Sequence, residues 1–321
     1  MSSCRPKPKI LVIVGPTASG KSALAVTLAK KFNGEIVSAD SRQVYRGMDI
    51  GTGKITRKEM GGIPHHLIDI KNPDEEYTVA EYKRDAIAAI AKILRAKKLP
   101  ILVGGTGLYV RAVVENLDIP KAAADPKLRA ATETEIKEEG LAAVFKKLVA
   151  LDPEAAVAVD GKNPRRVLRA LEVILATGKP FTSGQRKGEP LFDARVLGIG
   201  AEAGNARNTA DRAEPLLRKR IDARVDQMMR NGLLEEVKML VKKYGAECRV
   251  LDTIGYREIA EYLKAGGANH SLDRAVAHIK LDTWHYAKRQ MTWFKKYGGA
   301  QWIKNPREAT QVVEEFLMKR K

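Results

Sequence analysis

Residues Gly15-Pro-Thr-Ala-Ser-Gly-Lys-Ser22 obey the pattern G-x-x-x-x-G-K-[ST] and follow the apolar run Ile10–Val14. Glycines at these places let backbone N–H groups converge on phosphate oxygens, and the start of the next helix favours negative charge. The candidate phosphate-binding set is therefore Gly15, Pro16, Thr17, Ala18, Ser19, Gly20, Lys21 and Ser22. In such a loop Lys21 reaches a bridging or terminal phosphate, and the Ser22 hydroxyl is a ligand for Mg²⁺. The pattern speaks strongly for phosphate and weakly for any one phosphate compound.

Two further sites lie where open α/β sheets bind ligands, at the carboxyl ends of strands. Asp40 ends the expected strand Glu35–Ala39; its carboxylate could hold Mg²⁺ through water, accept a proton, or cap a turn. Thr106, in Gly104-Gly105-Thr106-Gly107, could hydrogen-bond a phosphate or a base, or belong to a tight turn. His65 and His66 are adjacent on an extended segment and point to opposite sides, with no third ligand near them, which argues against a metal site.

Three basic helices complete the candidates. From Pro215 to Gly232, Ile221, Val225, Met228 and Met229 form a core stripe, with Arg220, Arg224 and Gln227 on the adjacent face. By itself that face reads as solvated. Asn163-Pro164 supplies a cap and a first-turn proline to RRVLRALEVILA. Its core stripe is Val167, Leu171, Ile174 and Leu175, leaving Arg165, Arg166 and Arg169 together near the N-terminus. WHYAKRQMTWFKK places Arg289, Trp293 and Lys296 on one face, which suits phosphate contact with base stacking. Either of these last two helices alone would also serve as a charged surface over buried aromatics.

The elements that must hold these residues alternate between strand and helix. Strands at 10–14, 35–39 and 99–103, with helices at 22–31 and 82–96, predict a parallel, doubly covered sheet. From Asp125 to about Thr177 the periodicity is helical throughout. A breaker-rich passage follows, then a returning strand at Arg195–Gly200, a loop at Gly200–Asn208 and a late strand at Gln301–Ile303. The expected organisation is an α/β core of the P-loop NTPase type, residues 1–117 and 191–321, carrying a helical insertion at 118–190.

Composition narrows the partners. Lys and Arg total 57 against 39 acids, a net charge of +18 over 321 residues. That excess points to a polyanion such as nucleic acid, the alternative being a lysine-rich solvated surface. No apolar run approaches the roughly 18 residues of a membrane span, and the first apolar run is too short for a signal peptide. Cys4 and Cys248 are far apart, so neither a disulfide framework nor a cysteine zinc site is expected. A cytoplasmic location follows by absence of alternatives.

GPTASGKS, ADSRQVYRGMDIGTGK, GIPHHLID, LVGGTGLY, NPRRVLRALEV, RIDARVDQM, NGLLEEV and AKRQMTWFK, in this order, resemble the tRNA dimethylallyltransferase (tRNA isopentenyltransferase) family over roughly residues 9–303. The resemblance implies a P-loop kinase-like core with a helical insertion over RNA. It implies that the loop holds dimethylallyl diphosphate rather than a nucleotide. The acceptor is N6 of the adenine 3′ to the anticodon, in tRNAs reading codons that begin with U. Asp40 is then the general base, Thr106 lies near the reacting adenine, and Lys21 and Arg220 serve catalysis. Arg224 joins them on the diphosphate. Contacts to the tRNA anticodon stem-loop fall on Asp40, Ser41, Arg42, Gln43, Thr106, Arg129, Arg165, Arg166, Arg169, Lys288, Arg289, Gln290 and Trp293. Mg²⁺ is the implied cofactor and a monomer is expected. The chain lacks the C-terminal Cys/His zinc finger of some members and resembles the shorter, bacterial-type form. Rival readings are transfer to free AMP, ADP or ATP, an ATP-binding P-loop kinase, and an RNA-binding module with a vestigial loop.

Overall fold

A computed structural model describes residues 6–119, 126–185, 187–200, 210–266, 272–296 and 299–319. Most of the expected loop at Gly200–Asn208 lies outside the described residues. The chain divides into two compact units, Met1–Val110 with Leu191–Lys321, and Arg111–Pro190.

The first unit is built on one six-stranded, all-parallel sheet. Its strands are β1 (Lys9–Val14), β2 (Gly34–Ser38), β3 (His65–His66), β4 (Leu99–Gly104), β5 (Asp193–Ile199) and β6 (Ala300–Ile303), in the order β3-β2-β4-β1-β5-β6. Helices α1 (Lys21–Lys31), α2 (Arg57–Met60), α3 (Val79–Arg95) and α4 (Gly107–Val114) lie between or after the first four strands. The runs that read as strands do so because both faces are covered: Ile10 to Val14 are all fully buried. Leu11 and Ile13 of β1 pack with Leu24 and Leu28 of α1 and Ile101 of β4 in the main core.

Helix starts follow local chemistry. Thr78 caps α3 and is answered by Glu81 in a capping box, setting Tyr82, Ala86, Ile90 and Ile93 toward the core. Gly20 precedes α1 in the left-handed region, at φ 88°. Gly15 is needed for a different reason. A Cβ there would lie 2.5 Å from the Ile199 carbonyl oxygen, so the loop can pass close to β5 only without a side chain. After β5 come α9 (Ala210–Arg230), α10 (Leu233–Tyr244), α11 (Tyr256–Lys264) and α12 (Leu272–Lys296), then α13 (Pro306–Met318) after β6. No described helix is long and apolar enough to cross a membrane.

The second unit contains α5 (Pro126–Glu139), α6 (Leu141–Leu151), α7 (Ala155–Ala158) and α8 (Pro164–Thr177), with no strand among its described residues. Asn163 caps α8 by accepting the Arg166 N–H, Pro164 opens it, and Gly178 ends it in the left-handed region. Val167, Leu171 and Ile174 pack with Val144 and Leu148 of α6 as expected. Leu175 does not: it is 56% exposed, while Leu168 and Val173 are buried. The buried arc of α8 is centred on Val167–Leu171–Ile174 and is wider on the other flank than a single stripe implies.

Candidate active site

The glycine-rich loop, the end of β2 and the end of β4 meet in one cavity of about 710 Å³ in the first unit. Lys21, Ser22, Asp40, Arg42, Gln43, Gly53, Arg224, Tyr286 and Gln290 all contribute to its walls. Apolar lining comes from Val26, Ile55, Val103, Val225, Met228, Ile254 and Ile279.

Asp40 divides its carboxylate between structure and the cavity. Oδ1 accepts the Arg42 N–H at 2.9 Å and the Gln43 N–H at 3.3 Å, so the turn-forming role is real. Oδ2 makes no hydrogen bond among the described residues. Ser41 donates its N–H to Thr106 Oγ1 at 3.1 Å, and Thr106 donates its own N–H to the Ala39 carbonyl. Asp40 and Thr106 are thus held as one assembly across β2 and β4.

Three cations, Lys21, Arg42 and Arg224, and three carboxylates, Asp40, Glu59 and Asp252, line the cavity. Burial pushes the Lys21 ammonium down to about 8, with the Asp40 carboxylate opposing the fall and the Arg224 guanidinium adding to it. Burial likewise lowers Arg224, against the pull of Asp40 and Glu59. Lys21 and Arg224 are thus cations whose charge burial opposes despite the carboxylates near them, and a bound polyanion would relieve that cost. Lys21 Nζ donates to the Pro16 carbonyl at 3.1 Å, folded back on its own loop. Ser19 Oγ is buried with no protein partner. Although the residue is 37% exposed overall, desolvation pushes the Tyr286 hydroxyl up to about 12, with Asp40 raising it further.

The two arginines expected at the diphosphate are placed differently on α9. Arg224 lines the cavity and donates to the Gly53 carbonyl at 3.2 Å. Arg220, one turn earlier, is exposed and is not among the lining residues. The two share a helical face, so spacing alone could not separate them. Gln290, expected on RNA, is 7% exposed and is spent inside the protein instead. Its Oε1 accepts the Thr17 N–H and its Nε2 donates to the Gly105 carbonyl, both at 2.9 Å.

The remaining RNA candidates differ in how they are held. In the second unit Glu172 is buried and binds Arg129 at 2.8 Å and Arg169 at 3.3 Å, whereas Arg165 and Arg166 are exposed. On α12, Lys288 pairs with Glu214 at 2.7 Å, and Arg289 lies over the Tyr286 ring, 5.9 Å from its centroid. Trp293 packs edge-on with Phe294 and covers Gly107, where a Cβ would meet its ring at 2.5 Å. His66 Nε2 is engaged by Glu35 and His65 Nδ1 by the Ile63 carbonyl.

Sequence reasoning missed Tyr286 and Glu236. The buried Glu236 carboxylate accepts N–H groups from Asp49, Ile50 and Gly51, at 3.0, 2.8 and 3.0 Å, and the Tyr256 hydroxyl at 2.6 Å. It thereby fixes the loop whose Gly51–Gly53 stretch lines the cavity. The acidic pair in NGLLEEV was the available signal: an acid at a buried helical position needs a partner.

A parallel sheet with a glycine-rich loop after its first strand, Lys21 at the start of α1, Arg224 on α9 and Asp40 after β2 around one cavity, defines a P-loop-like α/β protein built to handle a phosphorylated substrate. A family model described as IPP transferase matches residues 43–297. A tRNA dimethylallyltransferase of Caldanaerobacter subterraneus subsp. tengcongensis is 46% identical, over 96% of this chain and 97% of its own length. Among solved structures, the full-length tRNA isopentenylpyrophosphate transferase of Bacillus halodurans is 42% identical with a TM-score of 0.66, covering 92% of this chain and 90% of its own. A eukaryotic dimethylallyltransferase acting on tRNA is 29% identical with a TM-score of 0.78, covering 98% of this chain and 80% of its own. The chain belongs to the IPP transferase family.

Proposed function

We propose that this protein moves the dimethylallyl group of dimethylallyl diphosphate onto N6 of the adenine 3′ to the anticodon, in tRNAs that read codons beginning with U, releasing diphosphate. The supporting observation is the cavity itself, in which the glycine-rich loop, Lys21, Arg224 and Asp40 share one space with an apolar lining. The names of its relatives agree.

Breaking the allylic C–O bond leaves positive charge on carbon and negative charge on the departing oxygens. Lys21, Arg224 and the loop N–H groups bind that growing anion more tightly than the intact donor, which lowers the barrier. An adenine amine is a weak nucleophile until it sheds a proton. The Asp40 Oδ2 is the acceptor for it, while Oδ1 keeps the carboxylate aimed. Val103, Ile55, Met228 and Ile279 house the five-carbon group and exclude water from the cationic carbon.

Mg²⁺ fits the donor set as a substrate-held ion. Ser22 lines the cavity with Asp40, so its hydroxyl and the substrate phosphates would supply ligands to the ion. When bound, the ion neutralises charge on the leaving diphosphate. For RNA, the exposed Arg165 and Arg166, with Arg289 and Lys288 on α12, would meet phosphates; Arg129 and Arg169 would do so only alongside Glu172. A cytoplasmic setting follows from a tRNA substrate.

The test is mass spectrometry of nucleosides from tRNA incubated with the protein, Mg²⁺ and dimethylallyl diphosphate. N6-dimethylallyladenosine is the expected product. Labelled donor offered together with tRNA and free AMP should label the tRNA. Label in AMP alone, or consumption of ATP without prenylation, would remove the proposal.

A further inference from the structure

The donor and the acceptor are gripped by different pieces of chain. The glycine-rich loop follows β1, and the Asp40–Thr106 assembly sits at the ends of β2 and β4. Gln290 of α12 is the side chain that touches both. Its Oε1 accepts from Thr17 in the loop, and its Nε2 donates to Gly105, the residue before Thr106. Thr106 in turn receives the Ser41 N–H beside Asp40. The fit is close: a Cβ on Gly105 would lie 2.3 Å from Gln290 Nε2.

At neutral pH the primary amide meets both demands, where a carboxylate would not. One end must accept from an N–H and the other must donate to a carbonyl. A carboxylate cannot donate to Gly105, and an apolar side chain of equal length serves neither partner. We infer that Gln290 is a positioning residue that sets the separation between the diphosphate grip and the proton-accepting turn, rather than a contact to RNA. This rests on the proposed prenyl transfer, in which the attacking amine and the leaving oxygen must line up across one carbon. A misplacement of about 1 Å in such a displacement can cost about 100-fold in rate.

The test compares Gln290→Met and Gln290→Glu with the unaltered protein. Steady-state rates are normalised to functional sites counted by donor-binding stoichiometry, and RNA affinity is measured separately. For Gln290→Met, kcat should fall about 100-fold while the RNA Kd stays within about twofold. For Gln290→Glu, the deficit should shrink as pH falls, because a protonated carboxyl regains both a donor and an acceptor. A weaker scaffold alone would not improve toward acid. Intact kcat at saturating RNA together with a raised RNA Kd would assign Gln290 to RNA and overturn the inference. So would a Gln290→Glu deficit independent of pH. If the unaltered protein transfers no prenyl group, the reaction assignment fails instead, and the two failures are told apart.

Discussion

Asp40 has separate roles for its two oxygens, and a single alanine substitution would confound them. Oδ1 ties down the N–H groups of Arg42 and Gln43, so losing it loosens the turn as well as the base. Asn at this position keeps an acceptor for the turn but has no useful basicity. Asp40→Asn should therefore reduce turnover by roughly 100- to 10,000-fold, the range of a general base, with RNA affinity nearly unchanged. Near-normal turnover would leave Asp40 with the turn alone. Lys21 yields a pH prediction. Its folded value, about 8, lies below the 10.5 of free lysine, so in the ligand-free protein the cation is complete only well below pH 8, is half lost at that pH and fades above it. Donor kcat/KM, which reports the free enzyme, should fall as pH rises through about 8. Lys21→Arg should move that limb upward, and a flat profile to pH 10 would discount the lysine. Lys21, Ser22, Asp40 and Thr106 were legible because each belongs to a motif or a strand end. Arg224 was not separable from Arg220, since helical spacing gives both the same face. Gln290 was hidden because its partners lie 273 and 185 residues away.

Between residue and molecule, the elements act through a few buried ties. Glu236 on α10 holds the loop at Asp49–Gly51, and Gly53 two residues on receives Arg224. Glu236→Ala leaves three backbone donors without their carboxylate. It should cost roughly 3 kcal/mol, read from denaturant midpoints, and raise the donor KM. In the second unit, α8 presents Arg166 exposed while Glu172 engages Arg169. Arg166→Ala should weaken tRNA binding and lower the log–log salt slope by about one, with donor KM unaltered. An unchanged slope would place Arg166 outside the RNA interface. Elements with their own local logic were readable: β1 and β4 are continuous apolar runs, β2 and β5 each hold a short apolar stretch, and α8 has a cap, a proline and a terminal glycine. The strand β3 was not. His65 and His66 carry no strand pattern, and they pair only because Ile36 and Val37 lie alongside.

At the scale of the whole chain, a net charge of +18 and a parallel sheet have separate consequences. The charge makes long-range attraction to a polyanion sensitive to salt, whereas the donor's grip in its cavity is screened far less. The sheet bears on how the protein comes to exist. β1 lies at the centre, with Val12 paired to Leu102 on one side and to Val196 on the other. During synthesis, the first strand to leave the ribosome is therefore among the last to gain both neighbours. It must wait through translation of the entire helical unit with a bare, adhesive edge. Maturation in the cell should consequently be slow and chaperone-dependent, and truncated nascent chains ending before Asp193 should aggregate through Ile10–Val14.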